Sequence, residues 1–146
     1  MKIFLDTSSL LKLYHRESGT ETLELIFSTN VITTIFLSEI SKVEFSSAIW
    51  KKVRTNEISP AAANATIELF ESDFPKYTFV TTGNAILEQA RKLVSKYGSE
   101  GLRTLDSIQL STSLALSQVA SLFITSDTLL QTFFDTESLP AKLPGK

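Results

Sequence analysis

Residues 1–11 read MKIFLDTSSLL, a segment that indicates the fold class. Ile3–Leu5 is a short apolar run typical of a buried strand, and Asp6 follows where the run ends. Thr7–Ser9 supplies hydroxyl groups that can cap a short helix, which we expect to run through Tyr14. A buried strand that leads directly into a helix is typical of an α/β fold with a mainly parallel sheet.

The same alternation of short apolar runs with longer helical stretches continues along the chain. The further predicted strands are Val31–Ile35, Tyr77–Val80 and Leu122–Thr125. The further predicted helices are Thr20–Ser28, a helix capped at or near Ser38 and running to Arg54, one opened by Ser59-Pro60, one with Ile86, Ala90, Leu93 and Tyr97 on a single face, Thr104–Gln118, and a last helix from Ser126-Asp127. Residues 98–101 are predicted to form a loop, and the tail from about residue 140 is expected to be loose. Residues 1–146 are therefore predicted to form one domain.

Composition and charge narrow the class of protein. The chain is 42% hydrophobic and 21% charged, which is ordinary for a soluble globular protein. No apolar run approaches the roughly 20 residues of a membrane span, and the N-terminal residues lack a signal-peptide pattern. We therefore expect a cytoplasmic protein that does not enter a membrane. The net charge of −2 argues against non-specific coating of nucleic acid, but it allows an enzyme that binds RNA through a local basic rim.

Few catalytic chemistries fit the residues that are present. The chain has no cysteine and one histidine, His15, and it lacks a phosphate-binding loop and a dinucleotide-binding glycine motif. A Ser-His-Asp triad would have to use His15, which we interpret as a surface residue because no serine elbow accompanies it. Metal chemistry through carboxylates is the strongest remaining option.

Four acidic residues are candidates for such chemistry. Asp6 and Asp127 each follow a predicted strand, and ligands collect beyond the carboxyl ends of parallel strands. Both could instead only cap the helix behind them. Glu44 shares a helical face with apolar side chains, where a carboxylate is costly to bury unless it is paired. The apolar residues on that face are Leu37, Ile40 and Ala48.

Two further alternatives stay open for these acids. Glu44 could form a structural salt bridge with Lys51, and Asp106 could simply stabilise the first turn of its helix. Behind Asp106, a small polar row on one side of that helix consists of Gln109, Ser113 and Ser117. Together the four acids can form a site for a hard divalent cation, since Mg²⁺ and Mn²⁺ prefer carboxylate and water oxygens.

Four segments that contain these acids resemble the motifs of the PIN-domain nucleases. They are Phe4–Leu11, Ser38–Ala48, Leu102–Leu110 and Phe123–Asp127, in matching order and at similar spacing. The chain is most similar to the VapC-type toxins of bacterial and archaeal toxin–antitoxin pairs. The resemblance implies a three-layer α/β/α fold, RNA cleavage that depends on Mg²⁺ or Mn²⁺, a small antitoxin partner and a homodimer.

The resemblance also implies roles for individual residues. Asp6 and Asp106 match the usual metal ligands, and Glu44 and Asp127 match the acids that complete the pocket. Supporting positions fall on Thr7, Ser8 and Thr125. The predicted phosphate contacts are Arg103 above all, then Lys42 and Lys51, with Arg91 and Lys92 as further candidates. After the fourth acid the chain departs from the family pattern, because Thr128–Phe134 lacks the expected basic residue.

Three functions are consistent with these residues. The first is a toxin-type ribonuclease, and the second is a PIN-like nuclease of RNA processing that has no antitoxin. The third is a non-catalytic interaction domain in which the four acids only cap helices or form salt bridges. A phosphatase with Asp6 as the nucleophile is less favoured, because Ser8 stands where the expected second aspartate would be.

Overall fold

The computed structural model describes residues 1–142 and contains a parallel sheet with β1, Lys2–Leu5, at its centre. The other strands are β2 (Thr34–Ser38), β3 (Thr78–Val80), β4 (Leu122–Ile124) and β5 (Ala141–Lys142). The strand order is β3-β2-β1-β4-β5, and each pair of neighbours is parallel. The predicted mainly parallel sheet is confirmed.

Seven α-helices flank the sheet within residues 1–142. They are α1 (Thr7–Leu11), α2 (Thr20–Thr29), α3 (Ser41–Arg54), α4 (Pro60–Ser72), α5 (Asn84–Tyr97), α6 (Thr104–Ala115) and α7 (Thr128–Thr136). Short 3₁₀ turns lie at Phe74–Lys76 and Gly98–Glu100. No helix of the described part is both long and apolar enough to cross a membrane.

The alternation of side chains along β1 divides the interior into two cores. Ile3 and Leu5 point to one face of the sheet, and Phe4 points to the other. The first core contains buried side chains of α1 to α4, such as Leu10, Leu23, Phe45, Ala63 and Phe70. The second contains side chains of α5 to α7, such as Leu93, Tyr97, Leu110, Phe133 and Phe134. Both faces of the sheet are thus covered, as a parallel sheet requires, and the three-layer α/β/α fold is confirmed.

The predicted position of the second strand is wrong by three residues. Val31 is 80% exposed, whereas β2 runs from Thr34 to Ser38 because its register pairs Lys2 with Thr34. Ser38 therefore ends a strand instead of capping a helix, and α3 begins only at Ser41. Leu37, predicted to share a helical face with Glu44, belongs to β2.

The prediction of a loose tail is wrong for its first described residues. Ala141–Lys142 pairs with β4 as a short edge strand, and residues 143–146 lie outside the described part of the chain. Two predicted helices are also too long, since α1 ends at Leu11 and α6 ends at Ala115.

Candidate active site

The candidate site lies where β1 and β4 end side by side. Within the sheet, β2 is the neighbour of β1 on one side and β4 is its neighbour on the other, so the strand order changes direction at β1. Such a switch point opens a crevice beyond the carboxyl ends of the two strands. Leu5 is in register with Ile124, so Asp6 and Thr125 emerge next to each other, and Thr125 Oγ1 donates a hydrogen bond to Asp6 Oδ2 at 2.6 Å.

Asp6 is 3% exposed and accepts several hydrogen bonds. The hydroxyl of Ser8 lies 2.8 Å from both of its carboxylate oxygens, and the backbone N–H of Ser9 donates to Oδ1 at 3.0 Å. Asp6 therefore also caps α1, which was the structural alternative for this residue. Burial raises the pKa of Asp6 to about 6, even though the hydrogen bonds from Thr125, Ser9 and Ser8 lower it.

Glu44 lies in the first turn of α3 and joins a polar cluster with residues of α1 and α6. Thr7 Oγ1 donates to Glu44 Oε1 at 2.9 Å, and Gln109 Nε2 donates to the same oxygen at 2.8 Å. Ser41 Oγ lies 2.9 Å from Thr7 Oγ1 and 3.2 Å from Gln109 Nε2. The predicted alternative, a salt bridge between Glu44 and Lys51, is absent from the described residues.

Asp106 and Asp127 complete the group of acids. Asp106 is half-buried in the first turn of α6. Burial raises its pKa, and the nearby charge of Asp127 raises it further. Asp127 caps α7 by accepting hydrogen bonds from the N–H groups of Leu129 and Leu130. Its own N–H donates to Thr125 Oγ1 at 3.0 Å, so the hydroxyl of Thr125 contacts both Asp127 and Asp6.

Three of the four acids influence one another through space. The pKa of Glu44 is raised by burial and also by the charge of Asp106, against the lowering effect of the Gln109 and Thr7 hydrogen bonds. Glu44, Asp106 and Asp127 thus form a chain of mutually repelling carboxylates. Asp6 is linked to both ends, through its neighbour Thr7 and through Thr125. The four predicted acids therefore lie around the carboxyl ends of β1 and β4, connected by shared neighbours and by charge.

The donor set fits a hard divalent cation by its chemistry. None of the four acids makes a salt bridge with a lysine or arginine in the described part of the chain. Within residues 1–142, however, no group of three acidic or histidine side chains is arranged as metal ligands would be. Asp6 and Glu44 instead direct oxygens toward hydroxyl and amide donors. Asp6 would have to turn partly away from its donors to share an ion, whereas Glu44 accepts the hydrogen bonds of Thr7 and Gln109 on Oε1.

The predicted basic residues lie at different distances from this cluster. Arg103 is exposed and, with Glu44 and Asp106, lines a cleft of about 360 Å³. Lys51 lines an adjacent groove along α3. The ammonium group of Lys42 lies over aromatic rings, 4.4 Å from the ring centre of Phe79. Arg91 makes an ion pair with Glu88 on α5, and Lys92 is exposed on the same helix.

Two residues of the cluster were not among the predicted site residues. Gln109 follows Asp106 by three positions and Ser41 precedes Glu44 by three, so each lies on the same helical face as an acid. A polar Gln109 between Ile108 and Leu110 was a visible signal. Nothing in the sequence, however, shows that Gln109 and Ser41 meet.

The comparisons with known proteins agree with this architecture. The sequence pattern of the PIN domain matches residues 3–133, so the chain belongs to the PIN-domain family. No curated protein sequence matches the chain.

Several solved structures share the fold. VapBC2 from Rickettsia felis, bound to a DNA fragment from its promoter, aligns with a TM-score of 0.66 and 14% identity over 98% of each chain. VapC20 of Mycobacterium tuberculosis, described as a toxin that cleaves the sarcin-ricin loop, gives 0.67 and 14% over 90% of this chain and 94% of that one. FitAcB from Neisseria gonorrhoeae gives 0.69 and 15% over 95% of each chain. At these identities the likeness shows the fold.

Proposed function

We propose that this protein is a metal-dependent ribonuclease and the toxin of a toxin–antitoxin pair. The observation that carries the proposal is the placement of Asp6, Glu44, Asp106 and Asp127 around the β1–β4 crevice, where none of them pairs with a lysine or arginine in the described part of the chain. Structural capping alone explains Asp6 and Asp127, but it does not explain why Glu44 and Asp106 are half-buried beside them. Membership of the PIN-domain family supports nuclease chemistry at this position.

Asp6 and Asp106 are proposed to hold Mg²⁺ or Mn²⁺, with Glu44 and Asp127 completing the pocket. A bound ion of this kind supplies an activated water and offsets negative charge on the departing 3′ oxygen of RNA. Ser8 and Thr125 fix the carboxylate of Asp6 by donating hydrogen bonds to it. Arg103, exposed at the edge of the cleft, is the best placed residue to contact a phosphate of the substrate.

The partner proposals rest on the structural neighbours. One of them is described as a toxin–antitoxin complex, from Klebsiella pneumoniae, with a TM-score of 0.59, and VapC20 is described as a toxin. We propose that this chain, too, acts in the cytoplasm, as a single-domain homodimer inhibited by a small antitoxin. A short neighbouring gene for a DNA-binding protein would favour this proposal over an RNA-processing nuclease that has no antitoxin.

The central test compares RNA cleavage by the wild type and by Asp6→Asn with and without Mn²⁺. The substitution keeps the size of the side chain and a capping oxygen for Ser9, so α1 should persist. We expect Mn²⁺-dependent cleavage by the wild type and a loss of at least about 100-fold in the variant.

The matched control is Asp135→Asn, which changes an exposed aspartate on α7 whose carboxylate accepts a hydrogen bond only from Gln131 among the described residues. Its cleavage rate should equal that of the wild type. Equal activity of the wild type and Asp6→Asn, or cleavage unaffected by chelation, would count against the proposed function.

A further inference from the structure

We propose that Gln109 is a positioning residue that orients the carboxylate of Glu44, a role that rests on the proposed nuclease function. Gln109 is 2% exposed and lies one turn after Asp106 on α6. Its Nε2 contacts three oxygens, and the contact with Glu44 Oε1, at 2.8 Å, is the shortest. The other two contacts, with Thr7 Oγ1 and Ser41 Oγ, measure 3.2 Å each.

The hydrogen positions in this cluster follow from its chemistry. An ionised Glu44 can only accept, so the single hydroxyl hydrogen of Thr7 points to Glu44 Oε1. Ser41 must then donate to Thr7, whose oxygen is free to accept. The amide of Gln109 gives one hydrogen to Glu44, and its second is shared by the oxygens of Thr7 and Ser41. Each donor of the cluster therefore acts on Glu44 Oε1 directly or through Thr7.

The orientation of the amide shows that Glu44 determines it. Gln109 Oε1 is buried and has no hydrogen-bond partner within the described residues. A buried polar atom without a partner destabilises the folded state, because it has given up its hydrogen bonds to water. Rotating the amide to relieve that cost would set its carbonyl oxygen against the carboxylate of Glu44. The amide is therefore held by the negative charge that it faces.

Packing alone does not account for a glutamine at this position. Its neighbours Ile108 and Leu110 are buried and apolar, and an aliphatic side chain would fill similar space without an unpaired carbonyl. What glutamine adds is a pair of N–H donors on the same helix as Asp106. Both hydrogen bonds of Glu44 in the described residues end on Oε1, which leaves Oε2 to face a ligand. Gln109 thereby fixes Glu44 relative to Asp106.

The test is a double-mutant cycle with Gln109→Met and Glu44→Ala. Methionine keeps the length and bulk of the side chain but removes the donors. We expect Gln109→Met to weaken Mn²⁺ affinity or kcat roughly 10–100-fold, as loss of a residue that orients a metal ligand typically does. The KM for RNA should stay unchanged, because Gln109 is too buried to touch the substrate. In the Glu44→Ala background the same substitution should have no further effect.

The matched control is Thr112→Val, which removes another buried polar group of α6. The hydroxyl of Thr112 bonds only the carbonyl of Ile108 in its own helix among the described residues, so Mn²⁺ affinity and kcat should stay within about twofold of the wild type. If Gln109→Met does not fold, Gln109→Asn replaces it in the cycle, because asparagine keeps the amide but withdraws it from Glu44 by one methylene group.

The outcomes separate this role from the proposed function. Equal losses with and without Glu44, measured by calorimetric Mn²⁺ titration and by kinetics, would overturn the role of Gln109 while leaving an active nuclease. A wild type that neither binds Mn²⁺ nor cleaves RNA would overturn the nuclease assignment, and the positioning role with it.

Discussion

Asp6 is almost fully buried as a carboxylate, and hydrogen bonds from Ser8, Ser9 and Thr125 offset only part of the cost. In the folded protein its pKa is about 6, whereas an unfolded aspartate has its ordinary value of 3.8. Between these two values the folded state holds more protons than the unfolded state. The contribution of Asp6 to stability is therefore greatest at low pH, falls as pH rises from about 4 to 6, and is constant above that.

For the metal-free protein, the difference in unfolding free energy between wild type and Asp6→Asn should change by about 2 kcal/mol between pH 4 and pH 7, with the wild type relatively less stable at pH 7. Urea unfolding at several pH values measures it. Comparing two proteins cancels the titration of the other acids. A difference that does not vary with pH would mean that Asp6 titrates normally.

Glu17 is a second residue whose charge matters, because it lies between two largely buried lysines. Lys12 is 7% exposed and donates to Glu17 Oε1, while Lys52 donates to Glu17 Oε2, both at 3.2 Å. Burial raises the pKa of Glu17, but the two lysines outweigh burial and lower it. This arrangement ties the residues after α1 to the last turns of α3.

We predict that Glu17→Gln lowers the unfolding free energy by about 1–2 kcal/mol at neutral pH. The lysines would keep their charges after losing the shared carboxylate, and partial exposure limits the cost. The control is Glu24→Gln, which removes an exposed acid paired with Arg16 and should change stability by less than about 0.5 kcal/mol. Similar losses in both variants, in urea melts, would contradict this account.

At the level of elements, β2 shows how a partner strand selects the paired residues. Residues 31–34 read VITT, a run as β-prone as the true strand, yet β2 begins at Thr34 because that register pairs Ile3 with Ile35. Local β-propensity identifies the region but not which residues pair with β1, so the predicted strand lies three residues too early in the sequence. The strands that immediately precede Asp6 and Asp127 were placed correctly, because each is a short apolar run followed by polar capping residues.

This register predicts that two aliphatic residues contribute very differently to the free energy of unfolding. Leu37 of β2 is fully buried in the first core, so Leu37→Ala should lower the unfolding free energy by about 2–5 kcal/mol. Val31 lies before the strand and is largely exposed, so Val31→Ala should stay within about 0.5 kcal/mol of the wild type. Equal costs in denaturant unfolding would place the second strand where the sequence alone predicted it.

For the whole molecule, the sequence predicts the acids of the candidate site but not the contacts around them. Asp6 and Asp127 were recognisable because they follow strands, and Glu44 was chosen for an apolar helical face, although Leu37 of that face lies on β2. The contact between Gln109, Thr7 and Ser41 joins three helices that are distant in sequence, and only their packing around the sheet creates it. Side-chain networks of this kind depend on the final fold and leave little periodic signal.

Ion binding by the four acids should be coupled to the stability of the entire fold. They come from β1–α1, α3, α6 and β4–α7, so an ion that binds them is bound only by the folded chain. Mn²⁺ at about 100 times its Kd should therefore stabilise the wild type by about 2.7 kcal/mol, or roughly 5–10 °C in Tm.

Asp106→Asn removes one proposed ligand and relieves repulsion by Asp127, so this variant should have a higher Tm than the wild type in chelator and gain little from Mn²⁺. Asp135→Asn should respond to Mn²⁺ as the wild type does. Thermal melts in chelator, K⁺ and Mn²⁺ at equal ionic strength measure the effect, and an Mn²⁺ response that survives in Asp106→Asn would place the ion elsewhere on the molecule.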